Sequence, residues 1–137
     1  FFEGTSVSVG RGTDFPFQVI GSPLIDSTSF SFVPAANEGA KNPKHKGKTC
    51  YGYDLSVFGL LYIRNTKSIY LHWLIGMNQK YGTKRLITRP DFFDLLAGTD
   101  KLRTQIESGK TAKEIEDSWK NDLEVYKIMR KKYLLYP

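Results

Sequence analysis

The stretch SVSVGRGTDFPFQVIG, residues Ser6 to Gly21, predicts two strands joined by a tight turn. Its valines alternate with serines, which is the pattern of a strand with one buried face. Gly10 and Gly12 permit the positive φ angles of a tight turn, and they let another group approach the backbone closely. We therefore expect Arg11 to project from the tip of an anchored turn, although an arginine merely exposed on a loop fits the same pattern.

A glycine-rich turn after a strand is also typical of nucleotide-binding loops. The dinucleotide-binding pattern requires a third glycine three residues after Gly12, where this chain has Phe15. The complete phosphate-loop signature, with both of its glycines at the required spacing, is absent as well. The turn is therefore not predicted to bind a nucleotide, and Pro16 indicates that the second strand starts at an edge or a bulge.

The composition fits a single domain over residues 1–137, since 40% hydrophobic and 14% aromatic residues suffice for a core. Phe1 and Phe2 directly precede the first strand motif without an initiator methionine, which predicts one domain of a longer protein. No apolar run approaches the length of a membrane span. A single cysteine, Cys50, excludes an internal disulfide, and with only two histidines no metal or cofactor is predicted.

The rest of the chain divides into a strand-rich first half and a helical second half. Ser29 to Pro34 alternates polar and apolar residues, and Cys50 to Tyr62 is rich in the aromatic residues typical of one or two core strands. Helical spacing predicts a helix over Asn65 to Tyr81 and short helices opened by Pro90 and Thr99. The order predicts an α+β fold, in which a small mixed or antiparallel sheet from the first half packs with helices from the second half.

The last helix has the strongest local signals. Thr111 and Glu114 have the spacing of a capping box, which marks the start of a helix. Four apolar residues then follow helical spacing and predict one buried stripe: Ile115, Trp119, Leu123 and Tyr126.

Two clusters stand out among the basic residues that give the chain its net charge of +6. The basic residues in the last turns of the final helix offset its dipole, so we interpret them as a solvated helix end. One loop carries a cluster that is a candidate for binding an anion: Lys41, Lys44, Lys46 and Lys48. No nucleic-acid motif accompanies these lysines, and nucleic acid is not predicted as a partner. The alternative function is a non-catalytic module that binds an anionic polymer, cell-wall glycan or nucleic acid, through this lysine-rich loop.

A block of motifs near the start of the chain is specific: Phe2-Glu3-Gly4-Thr5, Ser8-Val9-Gly10-Arg11-Gly12-Thr13 and Pro16-Phe17-Gln18. Weaker motifs follow to the end of the chain: Cys50-Tyr51-Gly52, Leu96-Ala97-Gly98-Thr99, Ile106 to Lys110, Ser118-Trp119 and Tyr133 to Pro137. In composition and order these motifs closely resemble the C-terminal domain of the DUF1343 (YbbC-like) family. The resemblance spans the whole chain.

This resemblance implies a function. Members of the family are exo-β-N-acetylmuramidases, which remove terminal N-acetylmuramic acid from peptidoglycan fragments. Their architecture pairs an N-terminal Rossmann-like domain with a smaller C-terminal domain, and the active site lies in the cleft between them. This chain is therefore expected to be the C-terminal domain. Its expected partners are the N-terminal domain of the same chain and a glycan that contains N-acetylmuramic acid.

The resemblance also limits what this chain can supply. The catalytic glutamate usually proposed for the family belongs to the N-terminal domain, so it corresponds to no residue here. A periplasmic or cell-envelope location follows only from the expected substrate.

The expected substrate suggests that the glycine turn binds a carboxylate. N-acetylmuramic acid carries a lactyl carboxylate, which an arginine on a stiff turn can hold with two parallel hydrogen bonds. Glu3, the one candidate catalytic residue here, is expected to contact a sugar hydroxyl or a catalytic water, or else to pair with Arg11. Ser8 and Thr13 either donate further hydrogen bonds or only complete the turn. The predicted substrate-binding residues are Glu3, Ser8, Gly10, Arg11, Gly12 and Thr13.

Overall fold

The first half of the chain builds a three-stranded antiparallel sheet in the computed structural model, which describes residues 1–66, 68–82 and 85–136. The strands are β1 (Val19–Ser22), β2 (Phe30–Phe32) and β3 (Cys50–Asp54), in the spatial order β1-β3-β2. Ile20 lies opposite Tyr53, and Phe32 lies opposite Cys50. Of the two predicted sheet types, the antiparallel one is confirmed.

Five helices follow β3 within the described residues and confirm the α+β fold. They are α1 (Phe58–Thr66), α2 (His72–Tyr81), α3 (Pro90–Ala97), α4 (Lys101–Glu107) and α5 (Ala112–Lys131). Pro90 stands in the first turn of α3, as predicted. The capping box of α5 is confirmed, because the Thr111 N–H donates to the Glu114 carboxylate at 2.8 Å and the Glu114 N–H donates to the Thr111 hydroxyl at 3.3 Å.

The predicted strand or strands over Cys50 to Tyr62 are confirmed only as far as Asp54. The Asp54 carboxylate accepts the Ser56 N–H at 2.8 Å, and this local turn ends β3. Phe58 and Tyr62 then stack one helical turn apart in α1, with ring centroids 5.2 Å apart. The aromatic residues that suggested a strand are therefore held by contacts at helical spacing.

The predicted helix over Asn65 to Tyr81 is wrong in its first part. Asn65 and Thr66 end α1, Lys67 lies outside the described residues, and α2 begins only at His72. Within the predicted stripe, the last three members are buried and the first is half-buried: Tyr70, Leu74, Met77 and Tyr81.

Residues before β1 form isolated bridges where the sequence predicts a continuous strand. Ser8 exchanges backbone hydrogen bonds with Gly21 at 2.8 and 3.0 Å. The Ser6 N–H instead donates to the Leu86 carbonyl at 2.9 Å. Because this segment divides its hydrogen bonds between β1 and the connection after α2, no regular ladder forms along it.

Tyr81 joins three parts of the chain through a buried hydroxyl. This hydroxyl donates to the Ser22 hydroxyl at 2.7 Å and accepts from the Ser6 hydroxyl at 2.9 Å. Burial raises the pKa of Tyr81 above its usual value, against the opposing effect of the two hydrogen bonds. The core around it takes residues from the early segment, β1, α2 to α5 and the connections beside these helices: Phe2, Val7, Ile20, Leu71, Leu74, Met77, Leu86, Ile87, Phe93, Ile106 and Ile115.

Only the first part of α5 packs against the domain. Ile115 is fully buried and Trp119 packs against the core from a half-buried position. Leu123 is 48% exposed and Tyr126 is 52% exposed, so the predicted buried stripe is wrong beyond Trp119. The helix continues past the region where the rest of the described chain covers this face.

Candidate functional site

The turn that presents Arg11 is held by its own hydrogen bonds. The backbone N–H and the hydroxyl of Thr13 both donate to the Gly10 carbonyl, at 3.1 and 2.7 Å. The Thr13 hydroxyl also accepts the Phe15 N–H at 3.0 Å. Arg11 is exposed on this anchored turn, as the sequence predicts.

Gly10 and Gly12 adopt φ angles of +77° and +81°, which favour glycine. Both are buried, and the chain itself occupies the space beside them. A Cβ at Gly10 would lie 2.6 Å from the Phe15 carbonyl oxygen, and one at Gly12 would lie 2.4 Å from the Ala35 carbonyl oxygen. The glycines therefore let the turn pack against the protein, and their contact with a sugar stays a prediction.

Ser8 and Thr13 both help to hold the turn, and further hydrogen bonds from them to a substrate stay a prediction. The Ser8 side chain is buried, and its hydroxyl accepts the Gly10 N–H at 3.4 Å. The Thr13 hydroxyl is engaged with Gly10 and Phe15. These bonds hold the backbone on both sides of Arg11.

Phe17 is an exposed aromatic residue in a strained backbone conformation. Its φ angle is +65°, although non-glycine residues rarely adopt positive φ, and its side chain is 63% exposed. The Phe17 N–H donates to the Val9 carbonyl at 2.7 Å, which fixes the backbone in this position. The second strand that the sequence predicts does not include Phe17, since β1 starts at Val19.

The side chains of Arg11 and Phe17 lie together at a cavity of about 290 Å³, which we call the Arg11 cavity. The Arg11 guanidinium carbon is 5.2 Å from the centroid of the Phe17 ring, a cation–π distance. The residues that line this cavity are Arg11, Gly12, Thr13, Pro16, Phe17, Asn37, Gly39 and Ala40. Residues that carry a cation, an aromatic ring and a side-chain amide, namely Arg11, Phe17 and Asn37, thus line the same cavity.

Asn37 reaches this cavity through a short loop that packs on the turn. The Ala35 N–H donates to the Gly12 carbonyl at 2.8 Å, which joins the loop to the turn. Asn37 and Ala40 exchange backbone hydrogen bonds at 3.1 and 3.2 Å. Both bonds use the backbone of Asn37.

The lysine-rich loop contributes to the structure through Lys44. The Lys44 ammonium donates to the carbonyls of Thr5 and Val7, the latter at 3.2 Å. Desolvation lowers the pKa of Lys44, nearby Arg89 lowers it further, and Glu3 has the opposite effect. All four lysines of the loop are exposed, and the side chain of Lys44 alone among them donates hydrogen bonds to the backbone within the described residues.

His45 makes a structural contact in the same loop. Its Nε2 lies 2.6 Å from the Ser6 carbonyl oxygen, and the imidazole N–H donates to it. The ring is half-buried and the backbone φ is +61°. Lys44 and His45 therefore clamp the segment that precedes the Arg11 turn.

Glu3 does not line the Arg11 cavity. It lies at a second, larger cavity of about 640 Å³, which we call the Trp119 cavity. Its lining is mainly apolar: Phe1, Glu3, Ile69, Leu71, Phe93, Leu96, Ala97, Thr99, Leu102 and Trp119. Within the described residues no ion pair joins Glu3 to Arg11. A contact of Glu3 with substrate or water stays a prediction.

Sequence reasoning missed Phe17 and Asn37 as members of the site. Phe17 was part of the specific motif block, but its positive φ depends on hydrogen bonding to Val9 and has no local signature. Asn37 is far from the turn in sequence and reaches it only because residues 35–43 pack on Gly12.

In residues 1–66, 68–82 and 85–136, histidine, cysteine, aspartate and glutamate side chains form no group of three that could hold a metal ion. Across the same described part of the chain, none of the helices combines the length and apolar character required to cross a membrane.

Comparisons with known proteins agree on one family. Residues 1–136 match the family described as the C-terminal part of the exo-β-N-acetylmuramidase NamZ. The peptidoglycan β-N-acetylmuramidase NamZ of Bacillus subtilis (strain 168) is 32% identical over 145 residues, which cover 98% of this chain. The crystal structure of a DUF1343 family protein from Bacteroides fragilis superposes with a TM-score of 0.88 at 47% identity, again over 98% of this chain.

These relatives are much longer than the present chain. The match covers 35% of the Bacillus subtilis protein and 38% of the Bacteroides fragilis chain. The chain thus spans little more than a third of either.

Proposed function

Because the chain belongs to the family of the C-terminal part of the exo-β-N-acetylmuramidase NamZ, we propose that it recognises the substrate of a peptidoglycan glycosidase. The full-length protein would remove terminal N-acetylmuramic acid from peptidoglycan fragments. In this proposal the chain is the C-terminal domain, a Rossmann-like N-terminal domain precedes it, and the enzyme acts in the periplasm or cell envelope, where its substrate is found.

The observation that carries the proposal is the exposed Arg11 at the rim of the Arg11 cavity. The lactyl group distinguishes N-acetylmuramic acid from N-acetylglucosamine by a carboxylate. A planar guanidinium can donate two parallel hydrogen bonds to that carboxylate. Because Thr13 and Gly10 hold the turn before substrate arrives, little ordering of the backbone is required on binding.

Phe17 and Asn37 supply the other contacts that a sugar requires. The exposed ring of Phe17 offers an apolar face for the C–H face of a pyranose. Asn37 offers an amide that can both donate and accept a hydrogen bond, as the N-acetyl group requires. Apolar and aromatic walls with a few directed polar groups are the usual composition of ligand sites.

The lining of the Arg11 cavity contains no aspartate or glutamate among the described residues. Glycoside hydrolysis generally requires two carboxyl groups, about 5 to 10 Å apart, on either side of the scissile bond. We therefore assign recognition to this chain and the catalytic carboxyl groups to the N-terminal domain. Glu3, at the Trp119 cavity, is retained only as a candidate contact to water or a hydroxyl group.

The alternative function, binding of an anionic polymer through the lysine-rich loop, has less support. All four lysines of the loop are exposed, but the Lys44 ammonium is engaged by two backbone carbonyls and is less available to an anion than those of Lys41, Lys46 and Lys48. No aromatic residue lines up with them to stack on a base or a sugar.

The test is hydrolysis by the full-length protein of a chromogenic β-N-acetylmuramide and of the matching N-acetylglucosaminide. We expect turnover of the muramide and a strong preference for it. The isolated chain serves as the control, and we expect no turnover from it. Failure of the full-length protein to prefer the muramide would contradict the proposed recognition, and turnover by the isolated chain would contradict the assignment of the catalytic groups.

A further inference from the structure

The second half of α5 carries an apolar face that no described residue covers. Three side chains on it are exposed to water, Leu123 (48%), Tyr126 (52%) and Met129 (44%), and the exposed Tyr133 (69%) follows in the turn after the helix ends at Lys131. With 3.6 residues per turn, the three positions within the helix continue the face on which Ile115 and Trp119 pack against the core. We call these four side chains the α5 stripe.

Most charged residues of α5 lie away from the α5 stripe, among them the ion pairs of the helix, and two exposed apolar residues, Val125 (68%) and Ile128 (70%), also lie outside it. Lys113 and Lys120 both pair with Asp117, and Lys127 pairs with Glu124. These charged residues lie on the side of the helix opposite the α5 stripe. A helix with one charged and one apolar face normally buries the apolar one, so the stripe lacks the partner that its pattern predicts.

The α5 stripe continues into the Trp119 cavity. Trp119 lies at the start of the stripe and lines the cavity, together with the exposed side chains of Phe1 (60%), Ile69 (54%) and Leu96 (56%). Stripe and cavity thus form one apolar surface, and surfaces of this kind mark interaction sites when they are contiguous.

We propose that this surface is the docking face for the N-terminal domain of the full-length protein. The relatives are almost three times as long as this chain, and the family match assigns this chain to their C-terminal part. Their additional length therefore precedes the position of Phe1. Because Phe1 itself lines the Trp119 cavity, the preceding domain is tethered directly beside the apolar surface, which raises its effective concentration there.

The proposal rests on the two-domain architecture of the proposed function but not on catalysis. A second copy of this chain is the competing occupant. The tether favours the N-terminal domain, since it acts at any protein concentration, whereas a second copy must be recruited from solution.

Thiol accessibility in the full-length protein provides the test. Tyr126→Cys places a thiol within the stripe, and Asn121→Cys places one on the other side of the same helix, where Asn121 is exposed. Cys50 gives no background from this chain, because it is fully buried and its pKa is raised to about 11. Any cysteine of the N-terminal domain is measured in the unsubstituted protein and subtracted. Alkylation is followed by mass spectrometry at several protein concentrations.

We expect the thiol at position 126 to react at least about ten times more slowly than the thiol at position 121, because a covered site reacts only when it opens locally. This ratio should be the same at all protein concentrations. Equal rates at the two positions would overturn the proposal. Protection at position 126 that grows with protein concentration would also overturn it, in favour of a second copy. Because these rates do not depend on hydrolysis, an inactive enzyme with a protected stripe would reject the proposed function alone.

Discussion

The Arg11 guanidinium lies 5.2 Å from the centroid of the Phe17 ring, and both side chains are exposed at the rim of one cavity. The two residues are held there by different means. Arg11 stands on a turn closed by Thr13, whereas Phe17 is held in a left-handed conformation by a hydrogen bond to Val9. Backbone strain of this kind persists where the surrounding structure imposes it, and it is frequent at ligand sites.

Arg11→Ala in the full-length enzyme should weaken the binding of muramides. A hydrogen bond to a charged group contributes roughly 1.5–3 kcal/mol, so we expect a loss on the order of ten- to a hundredfold in kcat/KM. Arg11→Lys should restore only part of it, because an ammonium lacks the planar fork. The preference for muramide over N-acetylglucosaminide should fall as well.

Urea unfolding provides the control for this variant. Arg11 is exposed, so the free energy of unfolding should change by less than about 0.5 kcal/mol. An unfolded Arg11→Ala variant would mean that the residue is structural. A folded variant with an unchanged preference for muramic acid would contradict carboxylate recognition.

Phe17→Gly should separate strain from binding. A non-glycine residue at positive φ costs on the order of 1–3 kcal/mol, and glycine removes this strain while it loses roughly 0.5–1 kcal/mol through chain entropy. We therefore expect unchanged or increased stability towards urea, together with a higher KM for muramides. Phe15→Gly is the matched control, since Phe15 is 55% exposed but has no positive φ. Phe15→Gly should lower stability and leave KM unchanged. A higher KM for Phe15→Gly than for Phe17→Gly would contradict the assignment of Phe17 to the substrate site.

Lys44→Ala should destabilise the chain, whereas Lys41→Ala should not. Removal of the Lys44 ammonium leaves the carbonyls of Thr5 and Val7 without this donor, which we expect to lower the free energy of unfolding by about 1–3 kcal/mol. Lys41 is exposed in the same loop and should change stability by less than about 0.5 kcal/mol. Equal effects of the two substitutions, measured by urea unfolding, would show that Lys44 is merely another solvated lysine.

Tyr81→Phe should cost about 1–3 kcal/mol of stability, because it removes the hydroxyl that Ser6 and Ser22 share in the interior. Tyr62→Phe is the control: its hydroxyl bonds to the Ser68 hydroxyl at an exposed position. There water replaces the lost partner, and the change should stay below about 0.5 kcal/mol. If thermal unfolding shows no difference between the variants, the buried hydroxyl does not join the early segment to α2.

The Cys50 thiol should couple stability to alkaline pH. Burial raises its pKa from 9.0 to about 11, so the folded chain holds the proton that the unfolded chain releases between these values. The contribution of Cys50 is fully present below pH 9 and is lost as the pH rises to about 11. We expect a steeper loss of stability for the wild type than for Cys50→Ala in that interval. Parallel profiles of the two proteins in urea titrations would contradict a raised pKa.

Local signals predicted the features that depend on few neighbouring residues. The capping box at Thr111 and Glu114, the start of α3 at Pro90 and the exposed Arg11 are each decided within a few residues, and all three are confirmed. The order of strands before helices follows from the change in hydrophobic periodicity along the chain, which is also a property of neighbouring residues.

Other features depend on contacts between distant residues. The segment before β1 could not become a regular strand, because the Ser6 N–H is taken by the Leu86 carbonyl. Leu123 and Tyr126 follow the same period as Ile115, but a period states only that one face is apolar and not where its cover ends. Glu3 and Arg11 are close in sequence and belong to one motif, yet they line different cavities.

The amino-acid sequence was therefore sufficient for the family, the fold class and the turn that presents Arg11, since local propensity and motif spacing carry that information. Folding in three dimensions placed Phe17 and Asn37 beside that turn, joined Lys44 and His45 to backbone carbonyls of the early segment, and left the α5 stripe uncovered. Each of these outcomes depends on which backbone carbonyl accepts a hydrogen bond from a distant segment, or on which apolar face a distant segment covers. A burial pattern specifies that a partner is needed, and only the packed chain specifies which partner it is.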